Sequence, residues 1–316
     1  MRAEEIHGIA AALGRPVLAT AGLAGGFSHE TCLLTLADGQ VVARLGGPDA
    51  AVEAAVMAAA RRYVPVPRVL LVMPAAAPGE GARPVMILEY VTGTPLSELL
   101  SEGEFGGADL GELGAEVGRV VAGIGAVTFD RRGFFTDEHL TVGAERPWSE
   151  QLPEVVARCM TITPDARLDR ATRRAWADLC AAHAPALVRV DDHARLVHAD
   201  INPKNILVTR TRTGWRVDAV LDWEFGYSGC PYGDAANMAR FGAGYPTRFL
   251  DGFRAAFAAH RPDDLPLAED WAYLGHVLDM FALSDLVTRP LAGHPVADQA
   301  AERIRHWIAH GVPASG

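Results

Sequence analysis

The sequence predicts an α+β protein with two unequal lobes, a small antiparallel β-sheet with one helix followed by a larger, mostly helical part. Short β-rich apolar runs separated by turn signals fill the first part of the chain, and apolar residues recur at helical spacing over most of the rest. With 316 residues, 49% hydrophobic and 22% charged, the chain can bury a core of this size. We place the boundary at Thr92–Pro95, which gives an N-lobe of residues 1–91 and a C-lobe of residues 92–316.

The elements of the N-lobe follow from its turn residues and apolar runs. Asp38-Gly39, within the turn Ala37–Gln40, is a strong hairpin signal, and Asp49 is a suitable N-cap for the Ala-rich stretch that follows it. Two prolines within Val64–Pro67 end that helix. The predicted order is a helix at 3–14, strands at 16–21, 31–37 and 41–45, a helix at 50–63, and strands at 67–73 and 84–91.

The C-lobe is predicted to be helical with one strand-rich segment. That segment covers residues 196–221, which carry apolar β-rich runs and a turn near 211–214. Apolar periodicity elsewhere indicates helices at 107–127, 170–183, 246–260, 268–288 and 296–310.

The charge and the cysteines restrict the partners and the compartment. A formal net charge of −10 disfavours nucleic acid and anionic membranes, because both require a basic surface; it suits a cationic partner, and equally suits solubility alone. Four scattered cysteines without metal-site spacing favour free thiols in the cytoplasm. We expect neither a signal peptide nor a membrane span, since the chain has no early apolar region and no apolar run of about 18 residues.

A catalytic pattern lies in the strand-rich segment. His198, Asp200 and Asn205 stand in the order H-x-D-x4-N, directly before the apolar run 206–208. An aspartate at this position can accept the proton of a hydroxyl and direct its oxygen at phosphorus. The amide oxygen of the asparagine is a hard ligand suited to Mg²⁺. H-x-D alone is common by chance, so the pattern becomes specific only with a second acid.

Asp222 supplies that second acid. It follows the mostly apolar run 217–221, and the interval back to Asp200 accommodates a short hairpin that brings both carboxylates to one cleft. A kinase places its main metal-binding carboxylate at such a strand end. The H-x-D-x4-N pattern together with Asp222 at a strand end is far more specific than either feature alone, and the combination predicts phosphoryl transfer.

Three segments closely resemble the aminoglycoside-phosphotransferase family, a small-molecule branch of the protein-kinase-like fold: His198-Ala-Asp-Ile-Asn-Pro-Lys-Asn205, Val220-Leu-Asp-Trp-Glu224 and Gly233-Asp-Ala-Ala236. The likeness extends through residues 17–91 and so covers most of the chain, whereas the helices after 245 match only in kind.

The resemblance assigns roles to these residues. Asp200 would be the catalytic base, and Asn205 and Asp222 would hold Mg²⁺. His198 would be a structural histidine that orients the loop. Asp234 would be a buried acid that anchors the catalytic loop, or else simply an acid at the start of a helix.

The resemblance also implies a nucleotide site in the N-lobe. Gly25, Gly26 and Ser28 lie in the loop between the first two strands, where backbone amides and a hydroxyl would contact phosphates. The loop is not G-x-G-x-x-G, and a plain hairpin loop would look the same. Arg44, in place of the usual lysine, would grip the phosphates, and Glu53 would pair with it. Outward surface charges are the alternative for both.

The strand at 84–91 resembles the strand that leads into a kinase hinge. The carbonyl of Glu89 and the amide of Val91 would then read the purine edge. ATP with Mg²⁺ is the expected phosphoryl donor, and the sequence does not exclude GTP.

These features predict an ATP-dependent O-phosphotransferase, a kinase that moves the γ-phosphoryl group onto a hydroxyl of a small molecule. An antibiotic of aminoglycoside, peptide, macrolide or nucleoside type is the favoured acceptor, which would confer resistance. The alternatives are a metabolic kinase acting on choline, a sugar or an amino alcohol, and a nucleotide-binding pseudokinase regulator. The intact Asp200, Asn205 and Asp222 argue against the regulator. Monomer and homodimer are both open.

Side chains of the C-lobe leave the acceptor undecided. Several acids could face a cationic acceptor or be solvated: Glu224, Asp263, Asp264, Glu269, Asp270, Asp279 and Asp285. Some aromatic residues could stack against an acceptor ring, although core packing is favoured for each: Trp223, Tyr227, Tyr232 and Trp271.

Overall fold

The computed structural model describes residues 1–23, 29–47, 49–74, 83–102, 106–266, 268–292 and 294–314. Its strands are β1 (Ala19–Gly22), β2 (Glu30–Leu36), β3 (Gly39–Leu45), β4 (Val69–Met73), β5 (Val85–Glu89), β6 (Thr94–Pro95), β7 (Arg195–Val197), β8 (Ile206–Thr211), β9 (Gly214–Val220) and β10 (Tyr227–Gly229). Its α-helices are α1 (Ala3–Leu13), α2 (Ala50–Ala60), α3 (Leu96–Glu102), α4 (Gly107–Ile124), α5 (Trp148–Ile162), α6 (Arg170–His183), α7 (Tyr232–Ala239), α8 (Thr247–His260), α9 (Trp271–Leu286) and α10 (Pro295–His310).

The first five strands form one antiparallel sheet in the order β1-β2-β3-β5-β4. The predicted hairpin joins β2 to β3, and Leu36 pairs with Gly39 across the turn. In β2, Cys32 and Leu34 are buried and alternate with half-buried residues, as expected when one face of a sheet is covered. Ile9 of α1 packs with these residues in a small core.

The other face of the sheet joins a second, larger core. Residues of β5 alternate between the two cores: Ile87 belongs to the small one, and Met86 and Leu88 to the large one. Helix α2 contributes Val56 to the large core and is capped by Asp49, whose carboxylate accepts the amides of Ala51 and Val52, both at 3.1 Å. The predicted two-lobe α+β fold is therefore confirmed, with the larger core continuing into the helical lobe. The lobe boundary at residues 91 and 92 stays a prediction.

Two small ladders of the C-lobe position the segment that carries the catalytic pattern. Strands β6, β8 and β9 pair in that spatial order, and β7 pairs with β10. β7 ends directly before His198, and β8 begins directly after Asn205. The Leu221 amide donates to the Asn205 carbonyl at 2.8 Å, which fixes the end of β9 to the start of β8. Paired strands therefore hold the ends of the segment 198–205 and the start of the segment that carries Asp222.

Helices α4 and α8 approach each other closely at glycines. A Cβ added at Gly114 would lie 2.0 Å from the Phe249 carbonyl oxygen, and one added at Gly118 would lie 2.2 Å from that of Phe253. The reverse holds for Gly252 of α8, where the added Cβ would lie 2.2 Å from the Gly111 carbonyl oxygen. The backbones thus touch where side chains would normally separate two helices.

The four cysteines are buried free thiols. No helix within the described part of the chain is long and apolar enough to cross a bilayer.

We expect Gly118→Ala to destabilise the protein by about 1–3 kcal/mol, because its methyl group would meet backbone rather than a movable side chain. Urea unfolding should show a lower midpoint with an unchanged slope.

Gly111→Ala is the matched control on the same helix. The nearest atom to its added Cβ, the Arg248 carbonyl oxygen, lies 3.9 Å away. Alanine should there raise stability by roughly 0.5–1 kcal/mol through its helix propensity. Equal effects of the two substitutions would contradict the close-packing explanation.

Candidate active site

The catalytic loop, residues 198–205, is anchored by Asp234 of α7. Its carboxylate accepts the backbone amides of His198 and Ala199, each at 2.9 Å, and its side chain is fully buried. Ala199 has a φ of +70°, a left-handed conformation that costs a residue with a side chain about 1–2 kcal/mol. Of the two interpretations of Asp234, the structure thus supports the loop anchor, although Asp234 also lies in the first turn of α7.

His198 links the catalytic loop to the end of β9. Nε2 donates to the Leu221 carbonyl at 2.9 Å, and Nδ1 accepts the Asp200 amide at 3.2 Å. The ring lies against Trp223, with 4.5 Å between the centroids. Burial lowers the pKa of His198 to about 4, so the imidazole is neutral at pH 7. These contacts fit a structural histidine.

Asp200 is held by two asparagines. Nδ2 of Asn205 donates to the backbone carbonyl of Asp200 at 2.9 Å and to its Oδ2 at 3.0 Å, and Nδ2 of Asn202 donates to the same carbonyl at 3.1 Å. Burial raises the pKa of Asp200, Arg240 opposes this rise, and nearby Asp222 adds to it. A positioned carboxylate with a raised pKa is suited to accept a proton.

Arg44 joins Asp222 to Glu53 across the cleft. Its guanidinium lies 2.6 Å from Oδ1 of Asp222 and also bonds to Oε1 of Glu53. Arg44 and Glu53 are both buried, and Glu53 accepts the Trp223 amide at 3.2 Å. Asp222 has a φ of +67°. The cation predicted for phosphate binding therefore contacts the carboxylate predicted for metal binding.

His29 and Glu224 extend this network, and sequence reasoning gave neither a place in it. Nδ1 of His29 lies 3.7 Å from Oε2 of Glu224 and 2.9 Å from the Arg44 guanidinium. Burial, with Arg44, lowers the pKa of His29 to about 4. Ligand atoms of His29, Asp222 and Glu224 lie within 4.8 Å of one another. The only sequence signal for His29 is its place directly after the glycine-containing loop.

Of the remaining predicted nucleotide residues, the structure describes Glu89 and Val91. The carboxylate of Glu89, the last residue of β5, accepts the amide of Arg68, the residue before β4, at 2.8 Å. Gly25, Gly26 and Ser28 lie outside the described residues. The structure thus brings together Asp200, Asn205, Asp222, Arg44 and Glu53, and the roles of all ten predicted site residues stay predictions.

Acids considered for a cationic acceptor are largely paired with arginines. Asp279 is buried and bonded to Arg240. Further pairs join an exposed or half-buried acid to an arginine: Asp264 with the buried Arg195, Asp270 with Arg189, and Asp285 with Arg289. Trp223 and Tyr232 are buried in the large core, as favoured from the sequence.

We expect Asp234→Asn to remove a pH dependence of stability. Burial raises the pKa of Asp234 from its usual value near 3.8 to about 7. The folded state then keeps a proton that the unfolded state releases, so this contribution to stability is fully present below about pH 4 and is lost as the pH rises through about 7. The free energy of unfolding of the wild type, relative to Asp234→Asn, should fall between these pH values in urea titrations.

Asp169→Asn is the control for this titration. Asp169 caps α6 through the Thr172 amide at 2.8 Å, and this hydrogen bond lowers its pKa. The contribution of Asp169 to stability is therefore lost only as the pH falls below about 4. The free energy of unfolding of the wild type, relative to Asp169→Asn, should not change between about pH 5 and pH 7.5. If the free energy of unfolding of the wild type, relative to Asp234→Asn, did not change with pH, the assignment of a raised pKa to a buried Asp234 would be contradicted.

The chain matches the model of the phosphotransferase enzyme family (APH) over residues 20–271. A comparison with curated proteins finds no match. Similar solved structures include a thermostable mutant of the aminoglycoside phosphotransferase APH(4)-Ia in complex with ADP and hygromycin B, with a TM-score of 0.69 at 17% identity over 98% of this chain and 99% of that one.

Two further structures share the fold. The GDP complex of a mutant of aminoglycoside 2′-phosphotransferase-IIIa gives a TM-score of 0.61 at 15% identity, over 93% of this chain and 91% of that one. A protein from Haemophilus somnus 129PT with the provisional name fructosamine-3-kinase gives 0.60 at 13%, over 95% and 96%. The resemblance found in the sequence is thereby confirmed, and the chain belongs to the phosphotransferase enzyme family, as a phosphotransferase that acts on a hydroxyl group.

Proposed function

We propose that the protein is an ATP-dependent kinase that phosphorylates a hydroxyl of a small-molecule antibiotic and thereby confers resistance. One observation carries the proposal: Asp200, Asn205 and Asp222 form a connected cluster that a buried arginine reaches from the sheet. The comparisons lend support, since a relative of the same fold was solved with ADP and hygromycin B.

In the proposed reaction, Asp200 orients the acceptor hydroxyl and takes its proton as the oxygen bonds to the γ-phosphorus, while the bond from that phosphorus to the β,γ-bridging oxygen breaks and ADP leaves. The hydrogen bonds from Asn205 and Asn202 fix the carboxylate and its backbone, so little reorganisation is needed when the acceptor arrives. The buried environment raises the pKa of Asp200, which makes it a better base than an exposed aspartate.

Mg²⁺ fits the residues at the centre of the cluster. Asn205 uses Nδ2 to hold Asp200, which leaves its Oδ1 as the ligand atom, and the Asp222 carboxylate supplies a second hard oxygen. Bound there, the ion would neutralise charge on the transferring phosphates. The carboxylate of Glu224 lies close enough to Asp222 to add to this donor set.

The N-lobe, residues 1–91, is proposed to hold the nucleotide. Arg44 can contact phosphate with the same fork that contacts Asp222. Gly25, Gly26 and Ser28 would cover the phosphates, and the Glu89 carbonyl and Val91 amide would bind the base. ATP is the proposed phosphoryl donor. GTP should also be tested as a donor, because one relative was solved with GDP. Buried free thiols suit a cytoplasmic location.

The acceptor class is tested by ADP release with Mg²⁺ across a panel of aminoglycosides, macrolides, peptide and nucleoside antibiotics, choline and sugars. Stimulation by one antibiotic class would support the proposal. The relative with the provisional name fructosamine-3-kinase keeps a metabolic kinase as the second candidate, and stimulation by a metabolite alone would favour it. Tight ATP binding with no turnover would favour a regulator.

Asp200→Ala should lower kcat by about 10²–10⁴-fold while nucleotide binding persists, because the base is lost but the N-lobe is unchanged. Turnover and nucleotide affinity, measured on the same preparations, check both parts. Asp178→Ala is the control, since this exposed acid of α6 has no proposed role in the site and should leave both values unchanged. Near-normal turnover of Asp200→Ala would contradict the assignment of the base.

Asp222→Asn should raise the Mg²⁺ concentration for half-maximal turnover by at least about tenfold, because a neutral amide is a weaker ligand than a carboxylate. A Mg²⁺ titration at saturating ATP measures this shift. Asn202→Ala tests the same loop without removing a proposed ligand and should leave the Mg²⁺ dependence unchanged. An unshifted titration for Asp222→Asn would rule out its metal role.

A further inference from the structure

A cavity of about 270 Å³ lies between the end of α2 and the start of β4. Four residues form the apolar part of its wall: Met57, Ala58, Pro67 and Val69. Met57 is only 1% exposed and belongs to the large core. A benzene ring fills an apolar cavity of roughly 150 Å³, so this volume admits one ring together with a small polar group.

Three arginines, Arg61, Arg62 and Arg68, complete the wall of this arginine cavity, and none of its described lining residues is an acid. Glu89 lies 3.9 Å from Arg61 and 3.6 Å from Arg68, farther than the about 2.8 Å of a charge-assisted hydrogen bond. Within the described part of the chain, Arg62 has no ion pair. Three positive charges and one negative charge leave +2 at the cavity, in a chain with a formal net charge of −10.

Hydrogen bonds fix the backbone that carries these arginines. The Arg68 amide donates to the Glu89 carboxylate at 2.8 Å, and the Arg68 carbonyl accepts the Glu89 amide at 2.9 Å. Nε of Arg61 donates to the Val66 carbonyl at 3.1 Å, which ties the end of α2 to the segment before β4. The charges are therefore held close together before any ligand binds, which lowers the entropy cost of binding one.

We propose that the arginine cavity binds a small phosphate monoester that carries one ring. A phosphate monoester has nearly two negative charges at pH 7, which match the local charge of +2 better than the single charge of a carboxylate does. Guanidinium groups bind phosphate oxygens through paired hydrogen bonds. The ring would leave water and lie against the apolar part of the wall. None of the described residues of the proposed kinase site lines this cavity, so the inference does not depend on the proposed function.

The test is a calorimetric titration with phenyl phosphate, with ADP and Mg²⁺ present so that the proposed nucleotide site does not contribute. Arg62→Gln/Arg68→Gln should bind phenyl phosphate at least about tenfold more weakly than the wild type, because it loses charge-assisted hydrogen bonds. Arg62→Gln alone keeps both contacts of Glu89 and should bind about threefold more weakly or worse. Arg158→Gln/Arg212→Gln is the matched control: it removes the same charge from two exposed arginines elsewhere, and its affinity should stay within about twofold of wild type.

Two further titrations separate the ring from the charge. Inorganic phosphate lacks the ring and benzoate has a single charge, so each should bind the wild type at least about fivefold more weakly than phenyl phosphate does. Equal affinity of either one would overturn the inference.

The inference would also be overturned if the wild type did not bind phenyl phosphate below about 10 mM, or bound it no more tightly than the folded Arg62 variants. Binding is measured without turnover. A wild type that binds phenyl phosphate in this way but phosphorylates no acceptor would therefore overturn the proposed function and support this inference.

Discussion

The geometry of the site depends on one buried cation, Arg44. Its guanidinium binds an acid from α2 and an acid that follows β9, so the sheet, the helix and the C-lobe meet at one ion-pair network. A buried charge without its partner costs several kcal/mol, so none of these side chains can move away alone. Asp222 and Arg44 neutralise each other in the free protein. In the proposed complex Asp222 would pair with Mg²⁺ and Arg44 with a phosphate. The charges of both side chains are therefore neutralised with and without the nucleotide.

Local strain is concentrated at the same place and is offset by fixed hydrogen bonds. Ala199, in the catalytic loop, and Asp222, after β9, are two of the three non-glycine residues with a left-handed backbone in the described part of the chain, and the third is Leu140. Asp234 binds the amide of Ala199, and His198 binds the residue before Asp222, so the two unusual backbones support each other. Such strain persists only where the surroundings determine it fully. The precise placement of Asp200 and Asp222 therefore depends on the buried residues Asp234 and His198.

Local signals predicted the fold well, and contacts distant in sequence escaped prediction. The hairpin before β3 and the cap at Asp49 were predictable because turn and cap chemistry act over a few residues. Helix α5 was not predicted, since Pro153 interrupts its interior and breaks a helical pattern. Spacing in the catalytic pattern was enough to predict a catalytic role for Asp200. Arg240 and Asp279 are far apart in sequence, and each looks like a surface charge until the fold pairs them in the interior.

The abundance of arginine explains how so acidic a chain buries charge. Lys204 is the only lysine, and arginine supplies the other cations apart from histidine. Guanidinium groups bind carboxylates with two or more hydrogen bonds, as Arg240 binds Asp279, and such pairs tolerate burial better than a lysine would. An acid held in this way is not available to a cationic acceptor unless the arginine is displaced. The net charge of −10 thus says little about the acceptor, which must be recognised by groups outside these pairs.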